Sequence, residues 1–118
     1  MTTHNLKEAV NELNDLIIQF KFVEALDKFY DEQIITHENE NPPISGLEAY
    51  RKNAKLFLEN ISNQSAELIN VIISDDMSVA EWHYKFDHKL WGRWDCRQLS
   101  LQCWRNGKIV FERHHYNR

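Results

Sequence analysis

The sequence predicts an α+β fold, with three helices from the first half of the chain packed on a mainly antiparallel sheet. Three observations predict it. Apolar residues recur at three- and four-residue spacing as far as Ile61, then switch to two-residue alternation. The stretch from Met77 to Arg118 divides into strand-like segments at tight-turn signals, with Asn106-Gly107 the strongest of them. Helices segregated from strands in chain order specify α+β rather than alternating α/β.

The first helix carries Leu6, Ala9, Val10, Leu13, Leu16, Ile17 and Phe20 on one face, with Asn5 and Glu8 spaced as a capping box. Phe22, Val23, Leu26, Phe29 and Tyr30 continue the stripe as a second, short helix. Ile34 to Glu38 is β-branched and reads as a short strand. Asn39 to Gly46 contains Pro42-Pro43 and reads as a loop. Ser45 and Glu48 suggest a second capping box, opening a helix with Leu47, Tyr50, Ala54, Phe57, Leu58 and Ile61 inward. Four long strands follow Asn63.

The chain has 118 residues, read as one domain, 1–118. Its hydrophobic fraction of 42% excludes a disordered chain. A net charge of -4 without a basic run excludes nonspecific nucleic-acid binding, which needs clustered Lys and Arg against phosphates. Apolar runs of only a few residues predict no membrane span, and the N-terminus reads as carrying no signal peptide. Cys96 and Cys103 are seven apart on one predicted strand, hence on opposite faces and unpaired, which points to a reducing, cytoplasmic setting. No metal-ligand spacing is present, and neither metal nor cofactor is expected.

Turn positions set the strand registers. A two-residue loop at Asn106-Gly107 aligns Leu101 with Glu112 and Leu99 with His114. A two- or four-residue loop around Trp91-Gly92 aligns Leu99 with Tyr84 and Leu101 with Trp82. The Asp75-Asp76 turn aligns Val71 with Ala80. One face then holds Trp82, Tyr84, Phe86, Leu99, Leu101 and Val110, together with Arg97, Glu112, His114 and Tyr116. The opposite face holds Trp94, Trp104, Ile109 and Phe111 among polar residues, a composition that predicts a homodimer interface.

Several segments carry a resemblance: FYDEQIITHENE after two helices, the loop and helix PPISGLEAYRKNAKLF, the acidic turn and strand SDDMSVAEWHYKF, and the closing hairpin WRNGKIVFERHHY. Together they span nearly the whole chain. The sequence resembles the nuclear transport factor 2-like superfamily, which includes SnoaL-like polyketide cyclases and ketosteroid isomerases. The resemblance implies a cone-shaped, cystatin-like roll, with a strongly curved sheet and helices around an apolar pocket. It implies acid/base work on a hydrophobic metabolite, as an isomerase, cyclase or hydrolase. The isomerases' carboxylate base falls in the region of His37, Glu38 and Glu40, and Tyr30 and Tyr84 are candidates for the oxyanion tyrosine. The cyclases' acid/base position on the closing strand matches His114, with Glu112 one step deeper. Histidine there in place of an acid implies a different mechanism. The epoxide-hydrolase branch requires two aspartates beside an arginine such as Arg97, and none project there.

From the residues themselves, Glu112 and His114 are two apart and share a face, so both can meet one ligand. A carboxylate raises an imidazole's pKa while burial lowers it, a balance suited to general acid/base catalysis. The alternative is a structural ion pair of Glu112 with Arg97 or Arg51. His37 and Glu38 precede the Pro-Pro loop at the expected pocket mouth. Trp82, Tyr84 and Phe86 form an aromatic wall or plain core. The candidate catalytic residues are therefore Glu112, His114 and Glu38, and the candidate ligand contacts are His37, Tyr50, Trp82, Tyr84, Phe86, Arg97, Leu99, Leu101 and Tyr116. A non-catalytic binding module and a structural homodimer are the competing readings.

Overall fold

The computed structural model describes residues 3–117. Helix α1 is Thr3–Ile18 and α2 is Phe22–Phe29. Strand β1 (Tyr30–Glu38) follows at once, then a short β2 (Ile44–Ser45) and helix α3 (Leu47–Glu59). The rest is β3 (Ile61–Ser74), β4 (Met77–His88), β5 (Gly92–Arg105) and β6 (Lys108–Asn117). The six strands form one sheet in the order β2-β1-β6-β5-β4-β3. Every neighbouring pair is antiparallel except β1 and β6, which run parallel. The α+β class is therefore observed, with three helices on a mostly antiparallel sheet. Among the described residues, no helix is long and apolar enough to cross a membrane.

Both expected capping boxes fail. Asn5 lies inside α1, which begins at Thr3. Ser45 is drawn into β2 by pairing with Ile35, so Gly46 takes the cap position of α3 without a side-chain cap bond. The helical stripes do reach the core: Leu6, Val10 and Leu13 of α1 are buried with Leu26, Phe29, Ile34 and Ile109.

Two of the three hairpin turns hold. Asn106 and Gly107 both have positive φ, as a type I′ turn requires, and Arg105 pairs with Lys108. The Asp75-Asp76 turn joins Ser74 to Met77. The turn at Trp91 differs. A two-residue type I′ loop would force Trp91 to positive φ, which is costly for a bulky side chain. The chain uses a three-residue loop instead, pairing His88 with Gly92, and the left-handed residue is Gly92 at φ +79°. His88 Nδ1 accepts the backbone N–H groups of Leu90 and Trp91, and its ring stacks on Trp91 at 3.6 Å.

An odd loop length reverses the faces of β5. Trp82 now pairs with Gln98, Tyr84 with Cys96 and Phe86 with Trp94. Arg97, Leu99, Leu101 and Cys103 consequently point to the outer face, and Leu99 is 48% exposed. The expectation that Arg97, Leu99 and Leu101 line a pocket is corrected. The expected interface is corrected with it: Trp104 and Ile109 are core residues at 4% and 0% exposure, and Trp94 lines the cavity described below. Only Phe111 of that set remains outside.

A register shift between β5 and β6, which makes Val110 the extra residue, reverses the faces a second time. Gln102 pairs with Glu112, Ser100 with His114 and Gln98 with Tyr116. The two reversals cancel for β6, so Glu112, His114 and Tyr116 face inward, beside polar neighbours instead of leucines. A similar shift in β3 places Leu68 opposite Trp82 and leaves Ile69 partly exposed.

Candidate functional site

Helices and inner sheet face enclose a cavity of about 610 Å³. One wall is aromatic: Trp82 stacks on Tyr84 at 5.6 Å, and Phe86 on Trp94 at 5.9 Å. Phe57 of α3 meets Phe86 edge-on at 5.0 Å. Trp82, Tyr84 and Phe86 form a buried cluster with Ala80 and Cys96, and Phe57 and Trp94 pack against it. Alternation along β4 puts Trp82, Tyr84 and Phe86 on one face, which is why they form a continuous wall.

The floor is polar. Glu112 is 0% exposed. Its Oε2 accepts from the Tyr30 hydroxyl and from Gln102 Nε2 at 2.7 Å. Its Oε1 accepts from the Tyr50 hydroxyl and lies 3.0 Å from His114 Nε2. The Tyr50 hydroxyl is also 3.1 Å from that nitrogen. On the other side of the ring, His114 Nδ1 lies 2.8 Å from Ser100 Oγ and 3.2 Å from Gln98 Nε2. Thus β6 supplies the charges, β5 the amides and hydroxyl, and β1 and α3 the two phenols.

The orientation of Gln102 follows from its neighbours. Trp104 Nε1 can only donate, and it donates to Ser78 Oγ at 2.9 Å. Ser78 then gives its own hydrogen to Gln102 Oε1 at 2.9 Å. That fixes the carboxamide with its NH₂ toward Glu112.

Burial alone would raise the pKa of Glu112, but the His114 charge and the hydrogen bonds from His114, Tyr30 and Tyr50 outweigh it and hold the carboxyl below its usual range. Burial would likewise lower His114, yet the charge and hydrogen bond of Glu112 hold it above the usual imidazole range. Each group thus favours the charged form of the other, a carboxylate facing an imidazolium. Burial, reinforced by the Glu112 charge, pushes the Tyr30, Tyr50 and Tyr84 hydroxyls well up, so all three remain donors.

The inward residues of β1 alternate with the outward ones. Thr36 and Glu38 line the cavity, Thr36 on the buried side and Glu38 at the exposed entrance. His37 turns to the outer face and packs on Phe111 at 5.6 Å, which corrects its expected place in the pocket. Tyr50, Trp82, Tyr84, Phe86 and Tyr116 all line the cavity. The alternative ion pairs are also corrected. Arg51 binds Asp27 and Glu48, Arg97 lies outside, and Glu112 has His114 instead.

Sequence reasoning missed Gln98, Ser100 and Gln102, because the expected register put them on the outer face of the sheet, among the residues read as an interface. It also missed Asn14, 3% exposed on the cavity side of α1, whose Nδ2 has no hydrogen-bond partner. The available signal was an asparagine inside the apolar helical stripe, four residues after Val10.

Residues 12–112 match the family model of the SnoaL-like domain. Comparison with curated proteins returns no match. Among solved structures, a Mesorhizobium loti protein provisionally described as a SnoaL-like polyketide cyclase is similar, at 25% identity and TM-score 0.81, over 97% of this chain and 98% of that one. A protein provisionally described as an isomerase from Bacillus subtilis aligns at 19% identity and TM-score 0.78, over 99% of this chain and 90% of that one. A Jannaschia protein provisionally described as a SnoaL-like cyclase aligns at 13% identity and TM-score 0.80, over 93% and 83%.

Proposed function

We propose, from the premise that this chain belongs to the SnoaL-like domain family, that its cup binds a hydrophobic small molecule and that His114 passes a proton to an oxygen of that molecule. The observation that carries the reading is the buried Glu112–His114 pair at the floor of an aromatic cavity. With Glu112 on Nε2, the other imidazole proton sits on Nδ1, beside Ser100 and Gln98. A ligand carbonyl oxygen arriving there takes the place of the Ser100 acceptor and meets an acid. Protonating that oxygen acidifies the neighbouring C–H, whose proton passes to a solvent water as the enol forms; Glu112 stabilises the imidazolium before the transfer and again once the neutral ring has taken a proton back from that water. Asn14 Nδ2 offers a second polar contact from the helix side, and the stacked rings take a flat apolar body.

The test is deuterium exchange at the α-carbon of bicyclic aromatic ketones in D₂O, followed by NMR. The protein is expected to accelerate exchange, and His114→Gln to slow it at least about a hundredfold while near-UV circular dichroism is unchanged. A variant with full rate removes His114 from the role.

One observation favours a second reading, binding without chemistry: every polar atom given above on Glu112 and His114 already has a protein partner. Ketones that bind and show no accelerated exchange would decide for it. A cytoplasmic setting fits the two free thiols, Cys96 and Cys103.

Self-association is reassigned to the true outer face. Leu101 and Phe111 are half-buried there beside the exposed Leu99, and the Arg113 guanidinium lies 5.7 Å over the Phe111 ring. Sedimentation velocity at micromolar concentration is expected to show a dimer that Leu101→Glu dissociates. A monomeric parent protein refutes it.

A further inference from the structure

Among the described residues lining the cavity there is no lysine or arginine. Its acidic and imidazole groups are Glu38, Glu112, His88 and His114. The charges of Glu112 and His114 cancel one another across 3.0 Å. Glu38 is left as the uncancelled charge, and it stands at the entrance. An aromatic chain leads away from it along the cavity wall. The Tyr116 hydroxyl lies 3.4 Å from Glu38 Oε2. The Tyr116 ring meets Trp94 edge-on at 5.9 Å, and Trp94 is 5.7 Å from Trp91, which is 49% exposed. Burial and the Glu38 charge push the Tyr116 hydroxyl up to about 12, so it remains a neutral donor beside a carboxylate.

We propose that the entrance of this cup receives the cationic end of its ligand, a tertiary or quaternary ammonium on a hydrophobic body, between the Glu38 carboxylate and the faces of Trp94, Tyr116 and Trp91. The proposal rests on the reading of the cup as a ligand site, and not on catalysis there. A methylated ammonium is weakly hydrated, so it loses little on leaving water. It is attracted both to a carboxylate and to the negative faces of aromatic rings. A carboxylate or phosphate ligand meets the opposite situation: Glu38 repels it, and the His114 charge is already matched by Glu112. The apolar body then extends along the stacked wall of Phe86, Tyr84 and Trp82 toward the floor.

The experiment uses three probes with one skeleton: 3-phenylpropyl-trimethylammonium, its neutral isostere with carbon in place of nitrogen, and the corresponding carboxylate. Quenching of tryptophan fluorescence reads their binding to the intact protein at low salt. The cation is expected to bind about tenfold tighter than the isostere, with the carboxylate weakest. Glu38→Gln is expected to reduce the cation's advantage to about threefold or less, without changing the affinity for the isostere. The ranking in the unmutated protein needs no variant. If isostere or carboxylate binds as well as the cation, or Glu38→Gln keeps the full preference, the proposal is wrong and the cup remains a ligand site. If none of the three binds, the ligand cup itself is refuted and the proposal goes with it.

Discussion

Glu112→Ala lowers the midpoint of thermal unfolding by roughly 12–20 °C. The substitution leaves the His114 imidazolium buried without its counter-charge, and Tyr30, Tyr50 and Gln102 lose their acceptor together. Breaking a buried ion pair from one side costs about 3–5 kcal/mol. At an unfolding entropy of about 2 cal/mol/K per residue, a chain of this length loses roughly 4 °C per kcal/mol. Calorimetry near pH 6 checks it, and a drop below about 4 °C would mean that the floor is solvated and the charges are not coupled. Glu112→Gln keeps an acceptor oxygen and is expected to be milder. Combining it with His114→Gln removes both charges, so the double variant is expected to lose less than the sum of the two single losses.

Stability is expected to peak between about pH 4.5 and 6.5, the ordinary values of the two groups, and to fall on both sides. Glu112 is held below its ordinary value. Its contribution is complete above pH 4.5 and is lost as the pH drops through the lower folded value. His114 is held above its ordinary value. Its contribution is complete below pH 6.5 and is lost as the pH rises through the higher folded value. A melting series from pH 3 to 10 shows the dome. His114→Gln should flatten the alkaline arm and Glu112→Gln the acid arm. A profile of the His114 variant that still declines on the alkaline side in parallel with the parent would refute the assignment.

Much of the architecture was legible because it depends on periodicity. The stripes of α1 and α3, the type I′ turn at Asn106-Gly107 and the alternation of β4 each follow from local rules, and all survive in the structure. The register of β5 did not follow, because one residue of loop length decides it. Trp91 carried the warning, since it cannot cheaply adopt the backbone that a two-residue loop demands. The extra residue at Val110 leaves no comparable mark, because nothing about a valine announces a bulge. Glu112 and His114 nevertheless face inward, through two reversals that cancel. Their neighbours were misplaced by a sound rule applied at the wrong spot. Apolar faces do turn inward, but a hollow with a charged floor needs Ser100 and Gln102 inside to hydrogen-bond it, and Gln98 to donate in turn to Ser100. Tertiary closure, here the parallel pairing of Thr36 with Glu112 and of Glu38 with His114, was not encoded in any local pattern.

That parallel pairing governs when the site can exist during synthesis. Strand β6 is inserted between β1 and β5, so the first strand has no partner on that side until the sixth has been made. A nascent chain lacking β6 holds both phenols and the aromatic wall but neither the carboxylate nor the imidazole they enclose. The binding chamber is therefore assembled at a late step by one long-range contact, a slow kind of closure for a chain of this size. Any ligand that grips the floor selects for the finished sheet and acts as a clamp on its two halves.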